Sequence, residues 1–331
     1  MNTPLLVDGD SFCMEQMEEK YIQYVHTSLA AGTQLDMLTD VWIQAIVCGH
    51  VRLAQVLLAR GYSIRRPIPD LSDTDIFHTA IQVACQVGHL DMIKLLIAYG
   101  ADIHAFDSKS RSVLMHAVIG DPPPLMAFMH EQRILRASKL DVVKLLIESG
   151  ANIHSFHVNK RVTAFHVACQ YHELEIMQFL VSRGANVHGL TLSGVNALHY
   201  AIQANAPPSI PVFQYLLDHH VNPNAKTDRG NTPLQLAINM VKLDKQYVEM
   251  VKYLISQAVD PSEVRQHPYF VEVYRRNYPS LICLFWMMVA KQHSPSSWVK
   301  LLPTDLFRLL RSFLCIPNNY SFENESAFVL V

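Results

Sequence analysis

Between residues 79 and 100 the apolar positions form two short runs with helical spacing. The first, TAIQVACQ, is built of small residues that allow a neighbour close approach. The second, HLDMIKLLIAYG, places Met92, Leu95 and Leu96 at i, i+3 and i+4, which predicts an amphipathic helix stopped by Gly100 near its C-cap. The same pair of runs returns along the chain. Copies begin at Thr79, Ser112, Thr163, Asn196 and Thr232, with an earlier one at Asp40, and two of the intervals are 33 residues. A fixed period of this length marks a repeat architecture. One helical pair cannot bury both of its faces, so the copies must stack into a one-dimensional array.

Residues before 40 (Met14, Met17, Tyr21, Val25, Leu29) have the spacing of an amphipathic N-terminal capping helix. Residues 40–262 carry about six repeats, and residues 263–331 leave the pattern for a C-terminal helical cap. The copy starting at Ser112 holds an insertion at 120–138, GDPPPLMAFMHEQRILRAS, whose three prolines end the preceding helix. A longer loop follows Gly61. NAPPSIP and NMVKLDKQY lengthen the inter-helix turn of the last two copies. Long loops on a rigid scaffold often carry recognition.

TPLQLAI, NALHYAI, TAFHVAC, VGHLDMIKLLIAYGAD and DRGNTPL resemble the ankyrin-repeat pattern TPLHxAA, GHxxVVxxLLxxGADVNA and DxxGxTPL. The resemblance implies an all-α ankyrin-repeat solenoid with β-hairpin-like loops, to which the C-terminal segment would add a helical hairpin. Departures from the family occur at His172 and Asn205, in place of the inter-helix glycine, and at His220, in place of the C-cap glycine. His166 and His199 occupy the family's TPLH histidine, and His50 and His89 follow the turn glycine; all four are expected to be structural hydrogen-bonders.

The loop phrase GADIHAFD (100–107) returns as GANIHSFH (150–157) and GANVHGLT (184–191). Its fifth residue, usually Asn in the family, is His104, His154 and His188, and imidazole is expected to take over the bonding to loop backbone. Packed helices put successive copies of such a ring about 10 Å apart, whereas zinc needs its ligands at about 2 Å, so this series is not a metal site. Two residues on, the aligned position holds Phe106, Phe156 and Leu190, near the expected loop tip. A strip of exposed apolar side chains there suggests a partner surface, with Lys109, Arg111, Lys160 and Arg161 as its polar rim. A protein partner on these tips and on the concave face of the array is the expected ligand.

Charge narrows the classes further. The 331 residues are 50 % apolar and 17 % charged, with a formal charge of −2, which gives polyanionic nucleic acid no clustered Lys and Arg to hold. The most apolar run, residues 281–290, is about half of what a bilayer crossing needs. The N-terminus lacks the basic region and apolar core of a secretory signal. The six cysteines show no CxxC spacing, which fits a reducing cytoplasmic setting, or the host cytosol if the chain is a secreted effector. No phosphate loop, HExxH or GxSxG is present, and no enzyme activity, cofactor or metal is expected.

Residues 280–314 read as an apolar helix, a Ser/Pro break and an amphipathic helix opened by Pro303. Trp286, Met287, Met288, Trp298, Phe307 and Phe313 make this segment more apolar than a plain cap. The Ser-Leu start and the Leu-Pro-x-x-Leu element resemble a SOCS box. That resemblance implies Elongin C contacts at Leu281 and Val289 and a cullin-facing Leu302, Pro303 and Leu306. Phe285 stands where that family has Cys. LLPTDLFRLLRSFL is also similar to the opening of an F-box, which would instead recruit an F-box adaptor protein. The functional expectation is a protein-interaction module serving as a substrate receptor of a cullin-type ubiquitin ligase. The alternative is a scaffold or host-targeting effector that blocks its partner by occupancy.

Overall fold

The computed structural model describes residues 14–69, 77–120, 137–157, 159–204, 208–241 and 247–256. Its contacts divide the chain at Leu192 into two units. The N-terminal unit contains α1 (Met14–Ala30), a 3-10 turn (Leu35–Leu38), α2 (Thr39–Cys48), α3 (Val51–Ala59), α4 (Ala80–Val87), α5 (Leu90–Ala98), α6 (Val113–Ile119), α7 (Lys139–Glu148), α8 (Ala164–Gln170) and α9 (Leu174–Ser182). A short antiparallel pair, β1 (Ile68–Pro69) and β2 (Phe77–His78), joins α3 to α4 with Ile68 opposite His78. The second unit contains α10 (Ala197–Ile202), α11 (Ile210–Asp218), α12 (Pro233–Val241) and α13 (Tyr247–Ser256).

The first helices of several pairs begin where the sequence supplies a cap. Thr79 accepts from the Gln82 N–H, and Gln82 Oε1 accepts from the Thr79 N–H at 2.7 Å, a reciprocal box that satisfies two otherwise orphaned donors. Thr232 and Gln235 repeat the arrangement at α12. In α8 and α10 a histidine replaces the glutamine: His166 Nδ1 accepts from the Thr163 N–H, and His199 Nδ1 from the Asn196 N–H, both at 3.3 Å.

Within the N-terminal unit the first helices of successive pairs, α2, α4, α6 and α8, pack side by side. Ala45, Ala84, Ala117 and Ala168 recur at one register position and are buried, so the backbones come close. The second helices α3, α5, α7 and α9 form the adjoining row, with α1 packed on α3. Their core positions (Leu53 and Leu57; Met92 and Leu96; Val143 and Leu146; Met177 and Leu180) are fully buried. Each such side chain contributes about 1.5–3 kcal/mol relative to exposure. Helix α1 adds a polar tie, because Glu18 Oε1 accepts from the Leu53 N–H at 3.0 Å in the first turn of α3. In the second unit α10 packs on α11 and α12, and α12 on α13.

The two histidines standing for glycine adopt the left-handed backbone of the residue they replace, His172 at φ 55° and His220 at φ 57°. Histidine tolerates that region better than most residues, at some strain. Asn205, most of the 120–138 insertion and the C-terminal segment expected to form a helical hairpin, including Leu281, Phe285, Val289, Leu302, Pro303 and Leu306, lie outside the described residues.

Candidate protein-interaction face

Between the pairs the chain makes tight hairpin loops. Single antiparallel bridges, Phe106 with Ser112 and Phe156 with Thr163, close two of them. Each phrase is fixed at its third residue rather than its fifth. Asp102 Oδ1 accepts from the His104 N–H at 2.8 Å, and Asn152 and Asn186 do the same for His154 and His188 at 2.9 Å. This is an Asx turn, in which a short acceptor two residues upstream is well placed. The expected backbone role of the imidazoles is therefore corrected: His104, His154 and His188 contribute main-chain donors, and their side chains face solvent.

The first and third of these loops, and one in the second unit, are fastened to the helices by the capping residues. His166 Nε2–H donates to the Gly189 carbonyl at 3.1 Å, and Gln82 Nε2–H donates to the aligned Ala105 carbonyl at 3.3 Å. In the second unit His199 Nε2–H donates to the Asn231 carbonyl at 3.2 Å. Burial lowers the pKa of both His166 and His199, opposed by the bond to the loop carbonyl, so each stays neutral. His89 has the structural role expected of it, donating from Nε2 to the Val47 carbonyl at 3.0 Å.

Met115 occupies the capping-histidine position of α6, and here a different network forms. His116 Nε2–H donates to Asp107 Oδ2 at 3.1 Å, and Arg111 donates its backbone N–H to Oδ1 and its Nε–H to Oδ2, both at 2.7 Å. His78 packs edge-on against His116 with ring centroids 5.2 Å apart. Burial pushes the Asp107 carboxyl up, but the hydrogen bonds from His116 and Arg111 and their charges outweigh it and hold the group well below the usual carboxylate range. Burial lowers His116 to about 4, against the opposing bond to Asp107. His78, Asp107 and His116 offer two imidazoles and a carboxylate within 4.8 Å of one another, a donor set zinc accepts. Yet Asp107 Oδ2 already receives two donors, one of them cationic, and His78 Nδ1 stands 3.9 Å from it. The cluster works as a clamp holding the first loop on α6.

On these successive loops Phe106, Phe156 and Leu190 are 43, 46 and 56 % exposed. Leu192, which the repeat alignment did not single out, is 55 % exposed. The alternation of Leu190 out, Thr191 buried and Leu192 out is the period-2 signal that could have found it. Phe156, Leu190 and Arg161 border one pocket of about 210 Å³ between the second and third loops; Phe106, Lys109, Arg111 and Lys160 do not line it. Lys109, Lys160 and Arg161 are exposed, whereas Arg111 is committed to Asp107.

A family model described as ankyrin repeats (3 copies) matches residues 42–124, 133–226 and 191–265, well over half of the chain. The chain belongs to the ankyrin-repeat family. Ankyrin repeats indicate a protein–protein interaction module, and that is the functional class of this chain. Among characterised proteins it is similar to Protein HOS4 of Saccharomyces cerevisiae, with 30 % identity over 109 residues, covering 33 % of this chain and 9 % of that protein. The match thus spans a small fraction of the relative's own length. Among the described residues no helix of this ankyrin-repeat chain is long and apolar enough to cross a membrane.

Proposed function

We propose that this ankyrin-repeat chain captures a protein partner on its hairpin-loop tips and the adjoining first helices, without catalysing a reaction itself. The observation that carries the reading is the exposure of Phe106, Phe156 and Leu190 at equivalent positions of successive loops, the first and third of which are pinned to the helical core while the second is tied to the third by the Leu192 N–H to Lys160 carbonyl bond. Apolar side chains on a rigid support lose little entropy on binding and desolvate favourably, which is how aromatic anchors work in interfaces. The test is the double variant Phe106→Ala, Phe156→Ala compared with wild type by proximity labelling in cells. Partners labelled by wild type should be lost from the variant while the thermal midpoint stays unchanged; an unaltered partner set sinks the proposal.

The repeat array, residues 40–262, is the binding part in this reading, and the chain works in the cytoplasm. Residues 1–39 and 263–331 flank it as caps. The Leu-Pro-x-x-Leu element at 302–306 supports a second task for the latter segment, recruitment of a cullin-type ligase through Elongin C or an F-box adaptor. Binding of purified full-length chain to Elongin B/C, a cullin and the F-box adaptor, each alone, tests it. Binding to none of them leaves a scaffold or effector acting by occupancy.

A further inference from the structure

The pocket between the second and third hairpin loops has a chemistry of its own. Ile153, Phe156 and Leu190 give it apolar walls, while His154, Arg161 and Asn186 bring polar groups to its border. A closed apolar cavity of about 150 Å³ holds a benzene-sized ligand, so about 210 Å³ is room for one large apolar side chain. The loops that form it, residues 150–163 and 184–192, contain Lys160 and Arg161 and no Asp or Glu, although the whole chain carries a formal charge of −2. Neither cation has an ion-pair partner among the described residues, in contrast to Arg111 on the first loop, whose charge Asp107 neutralises. Arg161 also holds a left-handed backbone, φ 55°, at a position where the second unit's loops have Gly194 and Gly230.

Deepening the partner-capture reading, on which it rests, we propose that this pocket takes one Leu or aromatic side chain from a partner segment with Asp or Glu beside that residue. The apolar side chain fills the space between Phe156 and Leu190, and the neighbouring carboxylate meets Arg161 and Lys160. Arg161 supplies planar, paired donors matched to a carboxylate, and the exposed Lys160 next to it in the chain adds a second positive charge on the same loop. A basic segment would instead bring like charges together, so charge selects among segments that share the same apolar anchor.

The experiment is selection of a random dodecapeptide display library on the full chain. Enriched peptides should pair Leu, Phe, Tyr or Trp with Asp or Glu within two positions. Their binding, followed by fluorescence anisotropy, should weaken several-fold on raising salt from about 50 to about 200 mM, because screening shortens the reach of rim charges. Arg161→Glu should switch the enriched flanks from acidic to basic, and Lys160→Glu should shift them in the same direction should the first variant fail to fold. Peptides that depend on Phe156 and Leu190 but carry neutral or basic flanks overturn the acidic preference while leaving partner capture standing. A selection whose enriched peptides bind Phe156→Ala, Leu190→Ala as well as wild type, or one that enriches nothing, overturns the pocket altogether.

Discussion

His116 makes the fold acid-sensitive, and the size of the effect follows from its surroundings. The ring is fully buried, its Nε2–H is given to Asp107, and the groups facing it are Asp107, Arg111 and His78. Its pKa falls from 6.5 in the unfolded chain to about 4 in the folded one. The unfolded state therefore binds more protons below pH 6.5. The His116 contribution to stability is fully present above that value, is lost as pH falls through the window between 6.5 and about 4, and levels off below it. At about 1.4 kcal/mol per pH unit the complete loss is about 3 kcal/mol, of which about 2 has gone by pH 5. His50, His166 and His199 are lowered as well and add losses of the same sign. Urea unfolding at pH 8, 6.5 and 5 reads the wild-type slope. His116→Gln removes the titrating ring, and whatever its stability at pH 8, the loss between pH 8 and 5 should shrink by about 2 kcal/mol. Equal losses in wild type and variant would refute the reasoning.

Other changes test the scaffold and its chemistry. Leu146→Ala, at a fully buried position in the second row of helices, should cost about 2–5 kcal/mol in urea unfolding. His220→Gly, which relieves a left-handed backbone at φ 57°, should raise the thermal midpoint, by about 0.5–1 kcal/mol in stability. Cys48, Cys85 and Cys169 are buried, and burial pushes the Cys48 thiol up to about 12 and the other two higher still. Peptide mapping after native alkylation should leave all three unlabelled until denaturant is added.

The repeat was legible because it is local. Thr79, Ser112, Thr163 and Asn196 announce helix starts through cap chemistry, and each stands at the N-cap of its helix. Alanine and leucine at fixed spacing announce which faces pack. The αL backbone of His172 and His220 was readable from the glycine each replaces. What escaped depends on residues distant in sequence or on the direction of one bond. Asp107, Arg111, His116 and His78 come from a loop, a helix and a strand end, and no spacing rule joins them. The loop histidines looked like acceptors for backbone donors, whereas Asp102, Asn152 and Asn186 accept and the histidines give their main-chain N–H. Arg111, marked as rim by its type, spends its charge on Asp107. The pocket beside Phe156 needed two loops in register, which only coordinates supply.

The most direct test of partner capture by the loops is a hydrogen-exchange footprint of the chain bound to a partner recovered by proximity labelling. Protection concentrated in residues 102–111, 153–161 and 186–192 is the predicted result. Protection confined to the outer surfaces of α5, α7 and α9, with those loops exchanging as in the free chain, would contradict it.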